Sequence, residues 1–221
     1  MKIPVEPIAQ YEGTDCFITC VEMILKFYGE YASREQIKLF VKEDKDGTPL
    51  TEYASFLNSM GLNVYCFGYN LQFMSPADKE LSQEKLLAKL EEEQKHPWMN
   101  KDYNIDISSI IDSIKSGVTY YLEPPSLKLI KSYLKQKIPL IISLNPLVLN
   151  KYQAYNTFAG HAVVAVGFSK NLIHFIDPDQ GVERSMPEEE FMLTIFARKF
   201  INTVGWAIAT KPGQFSYKEL K

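Results

Sequence analysis

Over residues 15–28 apolar side chains recur at helical spacing, with Cys16, Cys20, Ile24 and Phe27 on one stripe. The pattern predicts a helix there, with Asp15 or Thr14 as its cap and Gly29 as its left-handed stop. Ser33 and Gln36 have capping-box spacing and predict a second helix over roughly 34–43. In "TPLTEYASFLNSMG", Thr48 is placed to cap a third helix, Pro49 to open it and Gly61 to stop it. The run "LNVYCFGY" then reads as a short strand.

The pattern changes over about 71–124. "LSQEKLLAKLEEEQKH" and "ISSIIDSIKSG" are amphipathic and helical in period, punctuated by "HPWMN" and "EPP". This stretch is expected to be a helical insertion in a single domain of 221 residues. From 125 onward the chain predicts a helix ("SLKLIKSYLKQK"), a strand ("IPLIISL") and two strands about a hairpin ("HAVVAVGF", "LIHFIDP"). A helix with acids at its start and cations at its end ("PEEEFMLTIFARKF") and a last strand ("TVGWAIAT") complete it. Helices in front and an antiparallel sheet behind imply the α+β class.

Composition narrows the function. Net charge is −3, so a basic nucleic-acid surface is not expected. No run of eighteen apolar residues predicts a membrane span, and "MKIPVEPIAQ" lacks the apolar core of a secretory signal. A cytoplasmic protein is the expectation. The three cysteines cannot close a disulfide framework and read as thiols in a reducing compartment.

Cys16 opens a helix, where the partial positive charge of the amides favours a thiolate. Nucleophilic chemistry there requires a histidine and a group to orient it. Of the three histidines, His96 lies in the insertion and His174 inside a strand, whereas His161 opens a strand next to Gly160. Asp177 ends the following strand. A three-residue loop between the two strands pairs them with an even index sum and puts His161 and Asp177 on one face; a two-residue loop puts them on opposite faces. Asp179 is a rival orienter beyond Pro178. Gln10, six residues before Cys16, can supply an amide to an oxyanion. Cys20, one turn into the helix, and Cys66 read as packing. A zinc site from the cysteines is disfavoured by the C-x₃-C spacing and the lack of a second pair; neither metal nor cofactor is expected. Phe17, Gly160 and Tyr155, the last in "KYQAYNTF", are candidate substrate contacts.

Gln10, the Asp15-Cys16 pair, Cys20, the Met-Ile-Leu run and Tyr28-Gly29, followed by "GHAVVAVGF" and "IDPDQG", resemble the papain-like double-glycine leader peptidases, in a form without the exporter. The resemblance spans about 5–70 and 124–182. It implies a papain-like fold, with Cys16 as nucleophile, His161 as general base and acid, Asp177 as its orienter and Gln10 as oxyanion donor, acting on a peptide. Phe17 and Thr19 stand where that family has glycine and a small residue. "CFITCVEMILKFYG" also resembles the butirosin-biosynthesis type of papain-like acyltransferase, which implies an acyl-carrier thioester as substrate and an amine as acceptor. A peptide-binding module without turnover is the third reading.

Overall fold

The computed structural model describes residues 1–12, 15–41, 49–68, 70, 73–96, 101–146, 160–196 and 206–213. Its first helix, α1 (Cys16–Tyr28), is buried on most sides, not along one stripe: Ile18, Val21, Met23 and Leu25 are as enclosed as Cys20 and Ile24, and Phe27 is only half-buried. The reason is that α1 is central. It packs against α2 (Arg34–Phe40), α3 (Leu50–Ser59) and the middle of the sheet. Tyr28 Oη donates to the Ala209 carbonyl at 2.6 Å and ties its end to the sheet. Gly29 stops α1 at φ 79°, and the Ser33–Gln36 capping box at α2 makes both of its reciprocal bonds.

Seven strands form one sheet in the order β2-β1-β7-β3-β4-β5-β6. They are β1 (Asn63–Gly68), β2 (Thr119–Leu122), β3 (Leu140–Leu144), β4 (His161–Ser169), β5 (Leu172–Asp177), β6 (Val182–Pro187) and β7 (Trp206–Thr210). Every pairing is antiparallel except β1 with β2, at one edge. The remaining helices are α4 (Gln83–Glu93), α5 (Lys101–Lys115), α6 (Leu127–Lys135) and α7 (Glu188–Phe196), with a 3₁₀ turn at Pro76–Glu80. This is an α+β fold, with a helical part that begins on α1 and a mainly antiparallel sheet.

Two strands were not legible in the pattern. β2 lies within the 71–124 stretch and carries only four residues, and β6 ("VERSMP") is largely polar because it closes the exposed edge of the sheet. Within 71–124, α5 packs against α3 and α4. Thr51 donates to Ser109 Oγ at 2.8 Å across the α3–α5 contact.

The β4–β5 hairpin differs from expectation in an informative way. Ser169 pairs with Leu172, so the loop is the two-residue Lys170-Asn171, with Lys170 in the left-handed region at φ 51°. Taken alone, that register sets His161 and Asp177 on opposite faces. The pairing then shifts between Ala165 and Gly167, where Val166 is the extra residue of a β-bulge. Beyond the bulge Ala165 faces Phe175 and Val164 faces Ile176, so the index sum turns even and His161 and Asp177 share a face, one diagonal apart.

The bulge is held from the other side by the first residues of the chain. β3 pairs only with residues 161–165 of β4, and the N-terminal segment takes its place alongside the rest. Ile3 N–H donates to the Val166 carbonyl at 2.7 Å, and Phe168 N–H donates to the Met1 carbonyl at 3.1 Å. Gly167 permits this approach: a Cβ there would run into the Met1 carbonyl and lie 2.9 Å from Lys2 Cα. Gly167→Ala is therefore expected to lower stability by about 1–3 kcal/mol, read as a fall in the denaturant midpoint. Gly160→Ala, whose nearest neighbour is Ser143 Oγ at 4.0 Å, should change it by less than about 0.5 kcal/mol.

Candidate active site

Cys16 is the first residue of α1 and is 6% exposed. Asp15, at the N-cap, makes no side-chain cap bond, contrary to the expectation from its type, and Thr14 lies outside the described residues. The Asp15 carboxylate is instead buried against cations: Arg34 Nη1 reaches one oxygen at 3.2 Å and Lys38 Nζ the other at 3.2 Å. The same guanidinium pairs with Glu22 at 2.6 Å, donates to Thr19 Oγ1 and lies over the Tyr11 ring. The α1–α2 corner is thus clamped by one arginine, and the charge next to the thiol is neutralised.

The sheet supplies the rest. His161, at the first position of β4, has Nε2 2.9 Å from Asp177 Oδ1 and is near enough to Cys16 for the thiol to act on its ring. With Nε2 committed to the carboxylate, Nδ1 is the ring nitrogen left for sulfur. Burial pulls the imidazole pKa down, but the hydrogen bond to Asp177, the nearby Cys16 and the Asp177 charge outweigh it and bring it up to about 9. Asp177 is 3% exposed. Burial pushes its carboxyl up, and the His161 bond and charge, the Arg184 guanidinium and the Asp179 amide more than reverse this, leaving it below the ordinary carboxylate value. Arg184 Nη1 donates to Oδ2 at 2.7 Å, and Asp179 N–H to Oδ1 at 3.1 Å.

Asp179 does not orient His161; its side chain accepts from Gln10 Nε2 at 3.4 Å. Gln10 N–H also donates to the Pro178 carbonyl at 2.7 Å, so the Gln10 segment is fastened to the β5–β6 turn that carries Asp177. Gly181 makes the fastening possible: it sits at φ 61°, and a Cβ there would lie 2.6 Å from the Ala9 nitrogen. Phe17 stacks on Tyr53 of α3, ring centroids 5.2 Å apart. Gly160 is exposed beside His161, and Tyr155 lies outside the described residues. Cys20 and Cys66 are fully enclosed, and burial pushes both thiols up, away from reactivity. His174 stands between Ser169 and Ser185, 2.7 and 2.6 Å from their hydroxyls, away from the site.

Arg184 and Gly181 were not found from the sequence. The signal for Gly181 is the "DQG" turn, and for Arg184 it is strand parity: Arg184 faces Phe175, so it lies on the Asp177 side of the sheet. Neither can be used until β6 is known to be a strand.

The model of the Peptidase_C39 like family matches residues 2–205, and the chain belongs to that family. Among solved structures the chain is similar to a double glycine motif protease from the AMS/PCAT transporter, in complex with the leader peptide, at 18% identity over 94% of this chain and 91% of that one (TM-score 0.47). It is also similar to the peptidase domain of Streptococcus ComA, a bi-functional ABC transporter involved in quorum sensing, at 15% identity over 94% and 98% (TM-score 0.48). Curated proteins gave no match. Among the described residues no helix is long and apolar enough to cross a membrane.

Two outcomes are expected of this geometry. His161 binds its proton more tightly folded than unfolded, so its contribution to stability is complete below about pH 6.5 and is lost as pH rises to about 9. The gap in denaturant midpoint between the native protein and His161→Asn should therefore close over that window. Gly181→Ala should lower the thermal transition by several degrees, corresponding to roughly 1–3 kcal/mol for a strained, clashing residue.

Proposed function

We propose that the protein is a thiol hydrolase acting on a peptide, with Cys16 as nucleophile, His161 as general base and acid and Asp177 as the group that orients it. The observation that supports this most directly is that one imidazole, bonded to a buried carboxylate, stands beside the thiol at a helix start. Family membership supports a cysteine peptidase.

The chemistry follows from the contacts. The thiolate of Cys16 attacks the carbonyl carbon of the scissile amide while His161 holds the proton. The tetrahedral intermediate collapses as His161 delivers that proton to the leaving amine, giving a thioester on Cys16 and a free amine. Water, losing its proton to His161, attacks the thioester, and the acid leaves as the thiol is restored. Asp177 keeps the ring turned and stabilises the imidazolium throughout. Gln10 Nε2 carries two hydrogens, and with one directed at Asp179 the second serves the oxyanion, together with the Cys16 amide. Phe17 flanks the nucleophile where a glycine would leave a wider groove, and with Gly160 it shapes the acyl side of the site.

Alkylation tests the assignment. Iodoacetamide should modify Cys16 at least about 100-fold faster than Cys20 or Cys66, as expected of one poised thiol and two buried ones. His161→Asn should remove most of that advantage, and Cys16→Ala should abolish turnover of Gly-Gly peptides by at least about 10³-fold. Equal, slow labelling of all three thiols would refute the assignment. A stable acyl-enzyme formed only with acyl-carrier thioesters and released only by amines would assign the site to acyl transfer instead.

A further inference from the structure

We propose that Arg184 is a positioning residue for this site, a fourth member in line behind Cys16, His161 and Asp177 that locks the Asp177 carboxylate in the orientation His161 needs. The proposal rests on the thiol-catalytic reading of the site.

Three neighbouring strands set the line. His161 is on β4, Asp177 on β5 and Arg184 on β6, and the registers put all three on one face of the sheet. Phe175 is opposite Ala165 on one side and Arg184 on the other, so Arg184 and Asp177 are diagonal neighbours just as Asp177 and His161 are. The carboxylate is then divided between partners: Oδ1 takes the imidazole and the Asp179 amide, and Oδ2 takes the guanidinium. A carboxylate held by one oxygen alone can rotate about its terminal torsion, which has broad minima. With both oxygens occupied it cannot turn without breaking a charge-assisted bond.

Arg184 also covers the carboxylate. Its own side chain is one-third exposed, whereas that of Asp177 is almost wholly enclosed, so the guanidinium stands between the carboxylate and solvent. Its charge has a second effect. The groups that face this centre are Cys16 and Cys20 from α1, His161 from β4, Gln10 from the N-terminal segment, Asp179 from the turn and Arg184 from β6. Arg184 is the one permanent cation of that set. A fixed cation lowers the pH at which every neighbouring acid loses its proton, so it places both limbs of a thiolate–imidazolium profile at lower pH than Asp177 and His161 alone would.

The test is the rate of iodoacetamide alkylation at Cys16, followed by mass spectrometry from about pH 4 to 10, in the native protein, His161→Asn, Arg184→Gln and Arg184→Lys. Folding of each variant is checked by its thermal transition. Arg184→Gln should move both limbs to higher pH by roughly half a unit and slow alkylation several-fold near neutrality. Arg184→Lys keeps the charge but offers a point donor instead of a planar fork, so the limbs should stay and the rate fall by about 2- to 3-fold. Limbs that superimpose for the native protein and Arg184→Gln would overturn the proposal, because an arginine that merely holds β6 in place moves stability and not the profile. If Arg184→Gln does not fold, Arg184→Lys decides alone, and a native rate in it overturns the proposal. Failure of the underlying reading looks different: Cys16 in the native protein would then react no faster than in His161→Asn.

Discussion

Side chains on adjacent strands can meet only if they share a face, and in this protein a single residue decides whether two of them do. Val166 is the extra residue in β4, and it converts a register that would turn Asp177 away from His161 into one that brings them to 2.9 Å. The two-residue loop satisfies the tight turn between β4 and β5, and the bulge corrects its parity. The bulge in turn needs a partner for the half of β4 that β3 does not reach, which the Met1–Ile3 segment provides. Hairpin, bulge and N-terminal segment are one device, with Gly167 at the point where they come closest.

Electrostatic balance is the second constraint. Two buried carboxylates lie near Cys16, Asp15 before it in sequence and Asp177 on the sheet, and an unpaired charge in either place would be costly. Each is met by cations from a different element: Asp15 by Arg34 and Lys38 of α2, Asp177 by His161 and Arg184 of β4 and β6. Because Asp15 is neutralised locally, its charge does not compete for the imidazolium that faces Cys16. Cys20, one turn deeper on the same helix, is fully enclosed, and burial pushes its thiol up, which sets it apart from Cys16 at the helix start.

Much of this was legible in the chain. The helical spacing after Cys16, the Ser33–Gln36 box and the Gly29 and Gly61 stops identify the helices around Cys16, because these are local signals with local causes. The pairing of His161 with Asp177 could be framed as a parity question but not answered, since a bulge depends on a partner from the far end of the sequence. Asp15 was misjudged for the same reason: a cap residue by type, it is drawn off by Arg34 nineteen positions away. β6 was missed because an edge strand needs little apolar character, and with it went Arg184, whose role exists only across strands.

The N-terminal clasp also bears on synthesis. The Met1 amine bonds to the Phe168 carbonyl, 167 positions along the chain, and His161, Asp177 and Arg184 all lie in the same late part of the chain. A nascent chain therefore displays its helix-start cysteine long before the sheet residues that face it exist. The ribosome must deliver about four-fifths of the 221 residues before Arg184 exists to complete the arrangement. The contacts that surround Cys16 are therefore among the last that the growing chain can form.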